Sequence, residues 1–341
     1  MHRPSCGGDS QYFGRWPRLG GSVDEAYMAD KIATSGTRTI DNVIAQLREV
    51  DLLEAGRLMY RSINHSRKHV GLLPDTTRLR RPLPLMEHIF GQSPGLSWGA
   101  YYDGELIGFL SSHIRDLQWY IAYFFVDPRY QDRGVGRQLL EAGLAEAQRR
   151  DMRFLSGCTF SHNTGAIGLL SHCGLYPRKN IMFLQRVAGC NLPLPPRTTA
   201  IEMEPITTIE MVSELNRLDC EVRGANRGVD HCYWLADSNY SGFIFSAGGR
   251  VAGYAYFTHD GHIGPVLAAR DMFLTDILNH CLHEMATNYH GDIELWINGK
   301  NFGGLRLLLE TGFKYREVAV LMTNRVFCDM RRYLPHSMAV F

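Results

Sequence analysis

Residues 126–140 read VDPRYQDRGVGRQLL, a stretch in which two glycines, Gly134 and Gly136, stand at the start of an apolar helix pattern. Ahead of it QWYIAYFFV (118–126) is an aromatic and β-branched run, the signature of a strand, and Pro128 ends it. After it Val135, Leu139, Leu140, Leu144 and Ala147 share one face of a helix over 134–149. The first turn of a helix leaves backbone N–H groups without internal partners, and its dipole favours negative charge there. Glycine adds no Cβ that would keep a ligand away. The amides of residues 133–137 can therefore wrap a diphosphate, with Arg133 and Arg137 adding charge at the rim. A bare GxG pair is more often a tight turn; the strand before it and the amphipathic helix after it bring the anion reading level with that one. Two other phosphate motifs are excluded. No GxGxxG follows an N-terminal strand, and GxxxxGK followed by Ser or Thr occurs nowhere.

The elements around this turn occur twice. In the first half NVIAQLREVD reads as a strand running into a helix over 51–64, and SWGAYYDGELIGFLSSHI as a hairpin turning at Asp103-Gly104. The strand, glycine turn and helix come next, then the strand MRFLSGCTF, the short helix NTGAIGLLSHCG and the strand KNIMFLQRV. In the second half SGFIFSAGGRVAGYAYFTH is a hairpin turning at Gly248-Gly249, and GHIGPVLA is a strand. A helix over 272–287, the strand DIELWI, the helix NFGGLRLLLETG and the strand REVAVLMT complete it. The short helices match in spacing, Asn163, Leu170 and Gly174 against Asn301, Leu308 and Gly312. An Asn caps the start of each and a Gly closes it. Matched order and matched spacing together indicate an internal repeat of two α/β halves. Three prolines at 193, 195 and 196 mark 190–205 as the connector between them. The chain then divides into an extension (1–40) poorly ordered at its start, a first domain (41–189), the linker (190–205), a second domain (206–325) and a tail (326–341).

Composition removes several classes of function. At 341 residues the chain is long enough for two cores, and a formal net charge of +1 gives no pull toward nucleic acid or an anionic membrane. Its eight cysteines are never closer than twelve residues, so no compact metal spacing exists and none is expected to hold a metal. Free thiols in a reducing, cytoplasmic compartment are the plain reading. The densest apolar run, YIAYFFV, is far shorter than the roughly 20 residues of a membrane span.

The stretch VDPRYQDRGVGRQLL resembles the acyl-CoA-binding motif of the GCN5-related N-acetyltransferase (GNAT) family, with Gln131, Gly134 and Gly136 in its fixed positions. The hairpin with GELIGF, the strand ending FFVDP and the helix NTGAIGLLSHCGL follow that family in order over about 42–187. The second half is similar to the degenerate companion domain of two-domain members, keeping GGRVAGYAYF, HIGPVLA and NFGGLRLLLETGF but only AARDMF where the glycine pair would stand. The resemblance implies tandem GNAT-like domains, each a mixed, mostly antiparallel sheet flanked by helices, with one working site in the first. It implies acetyl-CoA as acyl donor, held by Phe124, Phe125 and Val126 of a splayed strand, by the turn Gln131, Asp132, Arg133, Gly134, Val135, Gly136 and Arg137, and by Asn163. The acceptor implied is a primary amine, expected on a small molecule because a second domain walls the cleft; a homodimer is left open.

For catalysis the family pattern is broken. The tyrosine that serves as proton donor in many members is replaced by Leu170, which leaves Ser171 and Tyr176 as the nearby hydroxyls. Tyr120 stands where some members carry a glutamate base, and with a pKa near 10 it is a poor base unless perturbed. The reading alternative to an enzyme is an acyl-CoA-binding sensor or scaffold without turnover. Other candidates have plain structural readings beside functional ones. His65, Arg67, Lys68 and His69 form a polar turn or line the acceptor pocket. His280, His283 and Glu284 form a solvated helix face or a pocket wall. Asp219, Glu221, Arg223 and Arg227 line the cleft or make ion pairs within the second half.

Overall fold

The computed structural model describes residues 40–341, which form one compact unit. The extension expected over 1–40 lies, but for its last residue, outside the described residues. Strand β1 (Val43–Gln46) leads to helices α1 (Leu52–His69) and α2 (Pro84–Gln92), then the meander β2 (Ser97–Tyr102), β3 (Glu105–Arg115) and β4 (Gln118–Val126). Helix α3 (Val135–Arg149), β5 (Phe154–Phe160), α4 (Thr164–His172) and β6 (Tyr176–Arg186) complete the first half. The second half comprises β7 (Glu202–Pro205), α5 (Ile209–Arg223), α6 (Gly228–Ala236), β8 (Tyr240–Ala247), β9 (Arg250–Thr258) and β10 (His262–Ala268). Then come α7 (Asp271–Asn288), β11 (Ile293–Asn298), α8 (Phe302–Glu310), β12 (Lys314–Thr323) and β13 (Tyr333–Leu334). Both hairpins turn where the residues allow left-handed backbone, Asp103 and Gly104 at φ 48° and 78°, Gly248 and Gly249 at 55° and 71°.

All strands join one sheet in the order β1-β2-β3-β4-β5-β12-β6-β11-β10-β9-β8-β7, with β13 against β10. Only β4·β5 and β10·β11 are parallel pairs among the described residues. The order contains a reciprocal exchange. The last long strand of the second half, β12, lies between β5 and β6, and the last strand of the first half, β6, lies between β12 and β11. The two exchanged strands pair antiparallel from Lys314↔Gln185 to Thr323↔Tyr176, with register shifts at Tyr315/Glu317 and Leu321/Met322, so a long backbone ladder fuses the halves. Ile181, Met182 and Leu184 of β6 are all buried, as expected of a strand covered on both faces.

Three clusters fill the layers. On one face of the first half, α3 and α4 pack Val135, Leu139, Leu140 and Leu170 on Ile107, Leu110, Trp119 and Ile121. Gly143 faces this layer; a Cβ there would meet Leu110 and Trp119 at 3.1 Å, so its absence lets α3 lie close to the sheet. In the second half α7 and α8 build the matching layer. The largest cluster covers the opposite face across both halves. It joins α1, α2, α5 and α6 to residues 327–341, whose Phe327, Met330, Tyr333, Ala339, Val340 and Phe341 are buried in it.

Candidate active site

Strand β4 is held by β3 along its length, but on its other side it meets β5 only from Gln118↔Phe154 to Ile121↔Gly157. Gly157 sits where the strands pinch, its Cβ position 3.0 Å from Ile121 Cβ. Beyond that point the strands diverge while β5 goes on to pair with β12. A β-bulge marks the divergence: Ser111 faces Tyr123 and Ser112 faces Ile121, leaving Ala122 as the extra residue. Phe124, Phe125 and Val126 thus keep one backbone edge out of the ladder, an edge that hydrogen-bonding groups of an extended ligand can complete.

The glycine turn closes the wide end of this wedge. Asp127 is 2% exposed and accepts hydrogen bonds from the Arg129 backbone N–H (3.0 Å), Arg129 Nε (3.0 Å) and Arg61 Nε of α1 (3.2 Å). Burial alone would raise its pKa, yet the bonds from Arg129 hold the carboxyl below its usual range. Gln131 Nε2 donates to Val126 O at 3.0 Å, tying the turn back to the strand. Gly134 is the N-cap of α3 at φ 83°, where a side chain would be strained, and no side chain caps the helix from that position. A Cβ on Gly136 would lie 3.4–3.7 Å from Leu169, Phe124 and Val126, so α3, α4 and β4 converge on it. The structure therefore brings Phe124–Val126, Gln131 and the first turn of α3 to one place, with Arg133 and Arg137 beside it. Asn163 is the N-cap of α4, its Oδ1 accepting from Ala166 N at 3.1 Å. These residues fit a nucleotide thioester: free strand edge for an amide-bearing arm, bare helix N-terminus for a diphosphate.

The residues expected to handle protons are more scattered. Tyr120 lies in the paired part of β4, 4% exposed, and its hydroxyl donates to Met338 O at 2.6 Å. Its ring stacks on His113 and Phe341, and burial pushes its hydroxyl well above the ordinary phenol range. That environment disfavours a base. Leu170 is buried in the α3-side layer, Ser171 is half-buried on α4, and Tyr176 is half exposed at the start of β6. Sequence reasoning did not find the segment that covers Tyr120, because residues 326–341 show no periodicity to reveal it.

Asp219, Arg223 and Arg227 are buried inside the second half. Asp219 accepts from Tyr254 Oη at 2.8 Å, faces His231 Nε2 at 2.8 Å and lies 3.3 Å from Arg227 Nε. Burial would raise this carboxyl, and Arg227 and His231 bring it below the usual range. Arg227 Nη2 donates to Tyr333 Oη at 2.5 Å, and Arg223 donates to Phe341 O. Glu221 is at the surface, paired with Arg332 at 2.6 Å. On α1, the His65 and His69 rings touch at a tilt of 57°, centroids 4.4 Å apart, and Arg67 reaches Glu317 of β12. On α7, His280 and His283 bind the carbonyls of Thr198 and Pro195 in the connector. No group of His, Cys, Asp and Glu suited to a metal occurs among the described residues. No helix among them is long and apolar enough to cross a membrane.

Residues 63–175 match the model of the acetyltransferase (GNAT) family, and the fold around them is that of tandem GNAT proteins. The chain is similar to a Pyrococcus horikoshii protein assigned as an acetyltransferase, at 14% identity over 90% of this chain and 99% of that one, TM-score 0.68. It is similar to a GCN5-related N-acetyltransferase from Sphaerobacter thermophilus, at 17% identity over 86% and 99%, TM-score 0.60. A tandem GNAT protein from the clavulanic acid biosynthesis pathway aligns at 13% identity over 83% and 97%, TM-score 0.55. No curated protein sequence matches the chain.

Proposed function

We propose that this protein is an acetyl-CoA-dependent N-acetyltransferase that acylates a primary amine of a small molecule by direct attack in a ternary complex. The observation that carries the reading is the wedge between β4 and β5, with an unpaired strand edge leading to a bare helix N-terminus. Acetyl-CoA supplies the activated acyl group. The chain holds the thioester along Phe124–Val126 and the diphosphate at residues 131–137. Holding donor and amine together accounts for much of the rate effect without a dedicated side-chain catalyst. The reaction balances as an ammonium plus acetyl-CoA giving the N-acetyl amine, free CoA thiol and one proton: a C–N bond forms and the C–S bond breaks. Free cysteines throughout the described residues support a reducing, cytoplasmic setting. Among partners, the proposal is a small-molecule amine, with neither nucleic acid nor membrane; a homodimer is compatible with it.

Leu170, buried where many family members place a tyrosine donor, favours a second reading, a CoA-binding sensor without turnover. One experiment separates the two. Gly134→Asp sets a carboxylate and a strained Cβ in the turn and is expected to weaken acetyl-CoA binding at least tenfold by calorimetry, about 1.4 kcal/mol. Unchanged affinity in a folded variant would overturn the site. Thiol release by the wild type with an amine panel supports the enzyme, and tight binding without release supports the sensor.

A further inference from the structure

The strand exchange sets one residue from each of four segments in a row beside the wedge. Ala319 of β12 faces Phe160 of β5, and Ser161 N donates to Val318 O at 2.8 Å, so the same register brings Glu317 opposite His162. On its other side Glu317 faces Phe183 of β6, and Phe183 faces Trp296 of β11. His162 and Phe183 come from the first half, Glu317 and Trp296 from the second. Side chains alternate along a strand, so Glu317 shares the face of Ala319 and Leu321, which belong to the cluster under α1 rather than that under α3. Helix α1 confirms the face. Its Arg67 lies 3.6 Å from Glu317 Oε2, and its Ser66 Oγ lies 3.1 Å from His162 Nε2. Five residues earlier Arg61 reaches Asp127 at the end of β4. At about 1.5 Å rise per residue, α1 crosses the wide end of the wedge within about 8 Å and lands on this row.

Two features point to a ligand. Glu317 Oε1 is buried without a hydrogen-bond partner, an arrangement that costs stability unless a donor arrives. Next to it Phe183 and Trp296, both only half-buried, hold their rings 4.7 Å apart and form an aromatic wall. The pinched end of the wedge is closed to an acceptor on this face, because Met338 and Phe341 lie on Tyr120. Entry is left at the wide end, over the row.

We propose that this row is the acceptor site, and that the acceptor is a primary amine carried on an aromatic body. Glu317 receives the ammonium at the mouth of the wedge, and Phe183 and Trp296 bind the ring. This assignment rests on the acetyltransferase reading and adds the substrate class. Glu317 binds the ammonium before it gives its proton to water and attacks, so loss of Glu317 appears in KM rather than kcat. The test uses the full chain with saturating acetyl-CoA and two probes, phenethylamine and ethanolamine, following thiol release, with saturation-transfer NMR as the binding readout. Phenethylamine is expected to have a KM at least tenfold below that of ethanolamine. Glu317→Gln should raise the phenethylamine KM at least tenfold with kcat within threefold, and Glu317→Asp should recover part of it. Phe183→Ala should raise the KM of phenethylamine alone. Arg67→Met, which removes the competing cation, should lower it, whereas a purely structural ion pair would make both partners' variants weaker in the same sense. Acetyl-CoA affinity and melting temperature report on folding in each variant. Acetyl-CoA binding with phenethylamine neither bound nor preferred, or with its KM unmoved by Glu317→Gln, overturns the acceptor site alone. Failure of the wild type to bind acetyl-CoA removes the enzyme and this site together.

Discussion

Each half of the molecule opens a wedge in its sheet, and the two are occupied differently. In the first, β4 leaves β5 after Ile121 and its edge stays free. In the second, β10 leaves β11 after Ile263, and the gap is filled by the chain itself. There β13 pairs antiparallel with β10, Val266↔Leu334 and Leu267↔Tyr333, and Ala268 N donates to Arg332 O at 2.8 Å. The helix ends differ in the same sense. Helix α3 starts at a bare Gly134, whereas Asp271 opens α7 and its Oδ1 accepts from Met272 N at 3.0 Å. The second half thus supplies internally a strand edge and a negative charge, the two things that the first offers to a ligand. The same backbone plan leaves a strand edge and a helix start open in one half and fills the corresponding gap with chain in the other, and occupancy of the wedge is the difference.

Acid gives the largest effect. His262 and His336 lie beside the filled wedge and His113 lies on β3 opposite Tyr120; burial lowers them to about 4, about 3 and about 3. A folded-state value below the ordinary one near 6.5 means that the unfolded chain binds more protons between those limits. Stability is therefore complete above about pH 6.5 and falls as the pH drops toward 4. Denaturation at a series of pH values should show uptake of up to about three protons on unfolding. His336→Gln keeps a partner for Tyr240, now 2.9 Å from Nε2, and should remove one of them. A flat profile from pH 7 to 4.5 would contradict the buried neutral histidines. Next in size is Tyr333→Ala. This ring is fully buried, carries the hydroxyl bound by Arg227 and lies under two guanidinium groups. The substitution should cost about 3–5 kcal/mol in urea unfolding. Acetyl-CoA affinity should stay within threefold, since the open wedge is untouched. Loss of affinity in the folded variant would show that the two wedges are coupled.

How far the sequence led can be judged from the same places. The glycine turn, both hairpins and the paired Asn-to-Gly helices are local, set by φ > 0 positions and caps within a few residues of one another, and those were legible. The splay of β4 was expected only through the family likeness; its bulge at Ala122 has no residue signature. The strand exchange was not legible at all. KNIMFLQRV and REVAVLMT each read as a closing strand, and either partner satisfies the same apolar pattern, so periodicity cannot choose between them. Residues 326–341 hold Phe327, Tyr333 and Phe341 at no regular spacing. Their burial depends on the wedge they fill, which is a tertiary fact. Glu317 and His162 were missed for the same reason, since 155 positions of chain separate two residues that the exchange sets side by side.

The smallest effect tests which feature closes the second wedge. Asp271→Gly removes the carboxylate that satisfies Met272 N and leaves the first turn of α7 bare, as the first turn of α3 is. It should cost only about 0.3–1 kcal/mol, the size of an exposed acidic group at a helix N-terminus. If the glycine turn alone made a site, the variant would gain one, and calorimetry would count two acetyl-CoA per chain. The geometry argues against this, because a diphosphate held at α7 would still meet β13 where the rest of the ligand must lie along β10. The expected stoichiometry is therefore unchanged at one. A second equivalent in Asp271→Gly would mean that charge, and not the inserted strand, is what separates the two halves in function.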